Sequence, residues 1–311
     1  NSTYHHLSLT GSGTKTVSAA LTINGDLTIN SGVTYSNTSS NFAVAIGGNL
    51  TNNGTLNAGT GTYTFSGTAK TLSGTLPLTS ASFSGTYTNN GTLTVSSNLN
   101  GAGGLTQGNS ATLNVGGTFT TTSFDASTNA GNTVNYTGSA QTTKAVNYQN
   151  LTLSGSGNVS LTTGTTIAGN LTLSGSVSAT LGNDVSIAGN LSIAAGNTLN
   201  GSTRAINLAG NWSNSGTFTS STSTVVLNGN NNIQTITGTN SFNLLTINHT
   251  GTGSVNASTS TLTVTGTLRV QSGSFTGAST YGNLQIDAGA TYVATAGSTI
   301  NVSGNGTNNG T

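Results

Sequence analysis

The sequence predicts an all-β protein, a β-solenoid of roughly 20-residue coils forming an elongated rod. Three observations predict it. A phrase built on Gly-Asn-Leu recurs along all 311 residues. Apolar and polar residues alternate through many short runs. No 3.6-residue apolar stripe of useful length is present, and Glu and Met are absent altogether.

The phrase runs as Asn24-Gly25-Asp26-Leu27, Gly48-Asn49-Leu50, Asn98-Leu99, Gly117-Thr118-Phe119, Gly169-Asn170-Leu171, Gly189-Asn190-Leu191, Gly210-Asn211-Trp212, Gly266-Thr267-Leu268 and Gly282-Asn283-Leu284. Gly169, Gly189 and Gly210 fall 20 and 21 residues apart, and wider gaps amount to two or three such steps. Within each step lie pairs such as Leu7-Leu9, Leu27-Ile29, Leu171-Leu173, Val185-Ile187 and Leu268-Val270. A spacing of two places both members on one face of a strand. Two or three small apolar side chains cannot order a coil at about 1–2 kcal/mol per residue. Stacked coils share one apolar column and pair their backbones at about 4.8 Å. The length then corresponds to roughly 15 coils and a rod on the order of 70 Å.

The corners follow from Asn-Gly at Asn24, Asn53, Asn90, Asn100, Asn200, Asn228, Asn305 and Asn309. Both residue types tolerate positive φ, which tight corners are expected to use. Asn-Gly alone suits hairpins equally, so the 20-residue step is what selects a solenoid. Stacked Asn and Thr are expected to form hydrogen-bonded ladders. Disorder is opposed by a single Pro and by 32% apolar residues in regular alternation. Gly would cost a helix about 1 kcal/mol per position. No run approaches the ~20 apolar residues of a membrane-spanning helix. A membrane barrel needs strands of about 9–11 residues and aromatic girdles; here the runs are shorter and Trp212 is the only Trp.

A longer unit overlies the coil. Tyr63 to Gly74, Val134 to Thr142 and Val226 to Gly238 are three versions of it, with Lys70, Gln141 and Gln234 each preceding a Thr. Tyr4 to Gly13 matches Tyr148 to Gly157 at an offset of 144. The expected organisation is a single continuous repeat array over residues 1–311. It begins and ends inside repeat phrases, which suggests a processed product or a segment of something longer. Cysteine is absent, so no disulfide contributes.

The phrases Tyr148–Gly157, Gly169–Leu173 and Gly48-Asn49-Leu50-Thr51-Asn52-Asn53-Gly54-Thr55-Leu56 resemble the β-strand repeats of very long bacterial cell-surface and secreted proteins. More distantly they resemble the β-helical stalks of filamentous-haemagglutinin-like adhesins and autotransporter passengers. The resemblance implies an extracellular or cell-surface location and a role in adhesion, matrix or fibre formation. It supplies no functional residues.

Chemistry-bearing residues are few. Charged residues make up 3% of the chain, against about 25% in a typical soluble protein. A net charge of +1 without clusters gives no footprint for nucleic acid. The four Asp residues (Asp26, Asp125, Asp184 and Asp287) are far apart in sequence, and turn or ladder roles are expected for them. His5 and His6 are read as counterparts of Gln149 and Asn150, pointing to opposite faces. His249 is expected to be exposed. Zinc-type spacing is absent, so no metal, cofactor or catalytic residue is expected, and the chain is read as a non-enzyme. Lys15, Lys70 and Lys144 are weighed as isopeptide donors and set aside, because no Glu is available. Sequons at Asn49, Asn53, Asn150, Asn170 and Asn190 follow from composition. Trp212 is expected to plug the core, and scattered Tyr residues offer stacking platforms for glycans. The preferred function is a structural shaft or filament subunit that associates end to end. The alternative is a glycan- or ice-binding face, with Thr118-Phe119-Thr120 and Thr261-Leu262-Thr263 as candidate runs.

Overall fold

The computed structural model describes residues 1–162, 166–230 and 232–311. Asn231, in the third copy of the longer unit, lies outside them. The described residues form strands, turns and bends with no helix, and every strand pairing is parallel. This separates a solenoid from a hairpin stack, because hairpins pair antiparallel. Positions stacked on one another lie about 20 residues apart, from 16 between Leu268 and Leu284 to 24 between Trp212 and Ile236.

The chain divides into two units, Asn1–Gln141 and Thr142–Thr311. In the first, each early coil has three short strands. Ser2–Tyr4, Leu21–Ile23, Val44–Ile46 and Thr62–Phe65 build one face. Leu7–Leu9, Leu27–Ile29 and Leu50–Asn52 build the second. Gly13–Thr16, Val33–Ser36 and Thr55–Asn57 build the third. The alternation seen in the sequence sets the interior. Leu27 and Leu50 stack in register, and Ile23, Ile46, Phe65 and Phe83 continue one another on the adjacent face, all buried. Phe65 and Phe83 stack with ring centres 4.9 Å apart.

The second unit repeats this plan. Leu151, Leu171, Leu191, Trp212 and Ile236 form one buried column. Ser156–Leu161, Ser176–Leu181, Thr198–Asn200 and Thr217–Thr219 form the third face. Trp212 fills the core as expected, edge-on to Phe218 and Phe242 at 4.8 and 5.0 Å, with its Nε1 donating to Asn240 Oδ1 at 2.7 Å.

In both units the third face stops abruptly. Gly74 lies over Asn52 and Ser80 over Thr62, so residues 75–79 span what residues 53–61 span one coil below. Gly238 lies over Asn214 and Leu244 over Thr224, so residues 239–243 replace 215–223 in the same way. A long strand, Lys70–Phe83 or Ile233–Phe242, cuts this corner. The buried Asn at the step carries the junction. Asn52 Nδ2 donates to Thr75 O at 2.6 Å, and Asn214 Nδ2 donates to Thr239 O at 2.9 Å.

The expected reason for the Asn-Gly corners is corrected. Of their eight glycines, only Gly101 has a positive φ. Most of the others are there because the coil below comes too close. A Cβ on Gly54 would meet Val33 O at 2.3 Å, and one on Gly310 would meet Ala290 O at 2.3 Å. At three of these corners the glycine N–H is also held: Asn52, Asn89 and Asn308 accept through Oδ1 from Gly54, Gly91 and Gly310 at 3.0–3.2 Å, as Asn214 does from Gly216 at a Ser-Gly corner.

Candidate functional site

Polar groups in a stacked interior must be satisfied, because an unpaired buried donor or acceptor costs about 1–3 kcal/mol. The longer repeat does this three times. Gln141 accepts from Gly138 N at 2.7 Å and donates to Val115 O and Gly117 O at 3.1 and 2.9 Å. Gln234 accepts from Gly229 N at 3.4 Å and donates to Leu208 O at 2.9 Å and to Gly210 O. In the first copy the equivalent glycine is Gly67 and the equivalent carbonyls belong to Ile46 and Gly48. There the Tyr87 hydroxyl does the work, accepting from Gly67 N at 3.0 Å and lying 3.0 and 3.1 Å from the two carbonyls. Lys70, the sequence counterpart of Gln141, pairs with Tyr87 on the strand and takes no part. Tyr87 is the residue that sequence comparison misses, since it comes from the next coil.

The second polar system is the expected ladder, and it runs on the Asn of the Gly-Asn-Leu phrase. Each side-chain oxygen accepts the backbone N–H of the same position one coil on. Asn170, Asn190, Asn211 and Thr235 donate in turn to Asn150, Asn170, Asn190 and Asn211 at 2.8–3.0 Å. Asn305 donates likewise to Asn283 at 2.9 Å. In the first unit the same rungs are His6, Asp26 and Asn49. Asp26 N donates to His6 Nδ1 at 2.9 Å, Asn49 N to Asp26 Oδ1 at 2.7 Å and Thr71 N to Asn49 Oδ1 at 2.9 Å. The match of His6 with Asn150 therefore holds at the level of the hydrogen bond. His5 and His6 sit at a bend and not in a strand, however, with ring centres 4.4 Å apart, so the expectation of opposite faces is corrected.

The carboxylates are dispersed, and each has its own partners among the described residues. Asp26 is a ladder rung. Asp125 closes its own turn, accepting from Ser127 N and Thr128 N at 2.9 and 3.2 Å. Burial pushes the Asp125 carboxyl up, but these hydrogen bonds outweigh it and hold the group below its ordinary value. Asp184 accepts from Ala205 N at 2.9 Å. Asp287 accepts from Arg269 Nε and Nη2 at 2.9 and 2.6 Å and from Gln285 at 2.7 Å, and the Arg269 hydrogen bonds hold its carboxyl low. Among the described residues no group of three His, Cys, Asp or Glu side chains is placed to hold a metal ion. Lys15 Nζ donates to Ser12 O at 3.2 Å, and partial burial pushes the Lys144 ammonium down.

Two surface expectations change. His249 is 1% exposed, not at the surface. Its Nε2 lies 2.8 Å from Gln234 Oε1. Six of the eight tyrosines (Tyr35, Tyr63, Tyr87, Tyr136, Tyr148 and Tyr281) are buried, which withdraws them as glycan platforms. The threonine ranks are mixed. Thr152 and Thr172 continue into Ser192 and Ser213, and Thr118 lies beside Asn98. Thr75, Thr92, Thr112 and Thr133 do stack as one file. Thr261 and Thr263 line a groove of about 290 Å³ with Thr217, Phe218, Thr239 and Ser241, at the edge left where the third face ends.

The first coil leaves the interior open. A cavity of about 140 Å³ is lined there by Tyr4, Leu7, Leu9, Val17, Leu21 and Tyr35. Tyr4 is 41% exposed, whereas its sequence counterpart Tyr148 is fully buried. No helix among the described residues is long and apolar enough to cross a membrane. Comparison with known proteins finds no matching family, no matching curated relative and no matching solved structure.

Proposed function

We propose that this chain is a structural shaft of an extracellular surface stalk or filament, joined end to end through its coils. The observation that carries the reading is the first coil. Leu7 and Leu9 remain partly exposed, while Leu27, Ile29 and Leu50 directly above them are fully buried. One more coil laid on this edge gives Leu7 and Leu9 the surroundings of their interior copies and gives the Leu7–Leu9 strand a second neighbour. The occupant proposed is a further coil of the same repeat type, which a second copy supplies in an assembly of the purified protein; Val293 and Val302 are likewise exposed. The extracellular setting rests on the likeness of the repeat phrases to bacterial surface proteins. Electron microscopy and sedimentation of the purified protein test the reading. Axial filaments that lengthen with concentration support it, and concentration-independent single particles overturn it. A Leu9→Lys variant, which places a charge on the open edge, is expected to abolish lengthening without unfolding the chain.

The groove lined by Thr261 and Thr263 favours a second reading, a glycan-binding module, because it sets hydroxyls around an aromatic side chain. A glycan array tests it. Binding that Thr263→Val removes supports this reading, and an array without signal ends it.

A further inference from the structure

His249 closes the third interior plug, and its protonation state is dictated by its neighbours. Gln234 Nε2 spends both protons on Leu208 O and Gly210 O. Its Oε1 therefore faces His249 Nε2 and Gly229 N. An amide oxygen only accepts, so His249 Nε2 carries the imidazole proton and Nδ1 is bare. Nδ1 is buried with no hydrogen-bond partner among the described residues. A second proton arriving at Nδ1 finds neither an acceptor nor solvent.

No counter-charge is at hand. Residues 205–212 and the described residues of the 228–234 corner contain no titratable side chain. The strand Ser260–Ser272, whose Ser272 Oγ donates to His249 O, contributes only Arg269. Arg269 lies outward between the buried Leu268 and Val270 and is bound to Asp287. Burial accordingly holds the imidazole below its ordinary value.

We propose that His249 is an acid-release latch: protonation at Nδ1 expels the ring from the Gln234 plug and loosens the corner formed by residues 228–230, 232–234 and 248–254. The opened state takes up the proton first. The closed corner is thus fully stable above the free imidazole value of ~6.5 and weakens as pH falls below it, by up to about tenfold per pH unit until the closed-state value is passed. This latch does not depend on the shaft reading.

His249 is the only histidine in residues 142–311, which makes the test clean. Imidazole nitrogen NMR of the intact chain should show the Nε2–H tautomer at neutral pH and a His249 titration displaced below the ordinary imidazole value of ~6.5. Amide exchange at Gly229 and Thr250, corrected for intrinsic rate, should accelerate by up to about tenfold per pH unit below ~6.5. His249→Gln should flatten that slope while keeping the β-sheet circular dichroism. An Nδ1–H tautomer, an ordinary titration for His249, or an unchanged slope in His249→Gln each overturns the proposal. The NMR arm needs no variant, so a misfolded His249→Gln does not rescue it.

Discussion

At the residue scale, one structural demand is met by different side chains. A glycine N–H and two carbonyls of the coil below require an interior group that both accepts and donates. Gln141 and Gln234 supply an amide, and Tyr87 supplies a hydroxyl. Tyr87→Phe removes the hydroxyl and leaves these groups buried without it, so a loss of about 1–3 kcal/mol is expected from urea unfolding followed by circular dichroism. Gln141→Leu strips three hydrogen bonds and should fall at the top of that range or beyond it. Lys70→Ala, by contrast, should lie within about 0.5 kcal/mol of the parent, because the Lys70 side chain is not part of the plug. The repeat phrase aligned Lys70 with Gln141 and could not distinguish them. The distinguishing residue sits 17 positions further on, in a coil whose register sequence spacing does not fix. The Asn-Leu-Thr sequons have a related physical origin. Asn makes the rung, Leu points inward and Thr suits the outward pleat, so a glycosylation-like pattern arises from packing alone.

At the element scale, the coil was legible and its changes of girth were not. Period-two pairs named the inward rows correctly, as the stacked columns Leu151, Leu171 and Leu191 show. The step where the third face ends was hidden, because sequence spacing alone does not reveal that the short segments 75–79 and 239–243 stand in for the longer 53–61 and 215–223. Its marker is a glycine. Gly238 combines φ +86° with an approach that would put a Cβ in contact with the Asn214 carbonyl. Gly196 has φ +80° and nothing within 4 Å. Gly196→Ala should therefore cost only the left-handed penalty, about 1–2 kcal/mol. Gly238→Ala adds overpacking against backbone, about 1–3 kcal/mol more. Equal losses for the two variants in thermal unfolding would show that close approach does not hold the step together. The Asn-Gly corners teach the same lesson: the dipeptide was readable, but its cause, contact with a coil some 20 residues earlier, was not.

At the scale of the whole molecule, the interior is assembled from uncharged side chains, and few ionisable groups govern its stability. The acidic limb belongs to a handful of groups, among them His249, Asp125 and Asp287. The alkaline limb belongs to tyrosine. Burial raises the phenols of Tyr35, Tyr63, Tyr87, Tyr281 and Tyr292 above their ordinary value. Tyr63 lies 3.4 Å from the Tyr35 hydroxyl, and Tyr281 lies 3.1 Å from that of Tyr292, so neither pair gains by ionising. In the unfolded chain each phenol loses its proton near pH ~10. Above that value the unfolded state binds fewer protons than the folded one, and stability falls as pH rises. Below it the contribution is complete. The expected outcome is cooperative alkaline unfolding in which tyrosinate absorbance and loss of β-sheet circular dichroism share one midpoint, well above pH ~10. Tyr63→Phe, which keeps the ring and removes one raised phenol, should shift that midpoint to higher pH and make the transition less steep. Phenols that titrate gradually around pH ~10 with the sheet intact would mean that solvent reaches these tyrosines, and their burial within each unit would have to be abandoned.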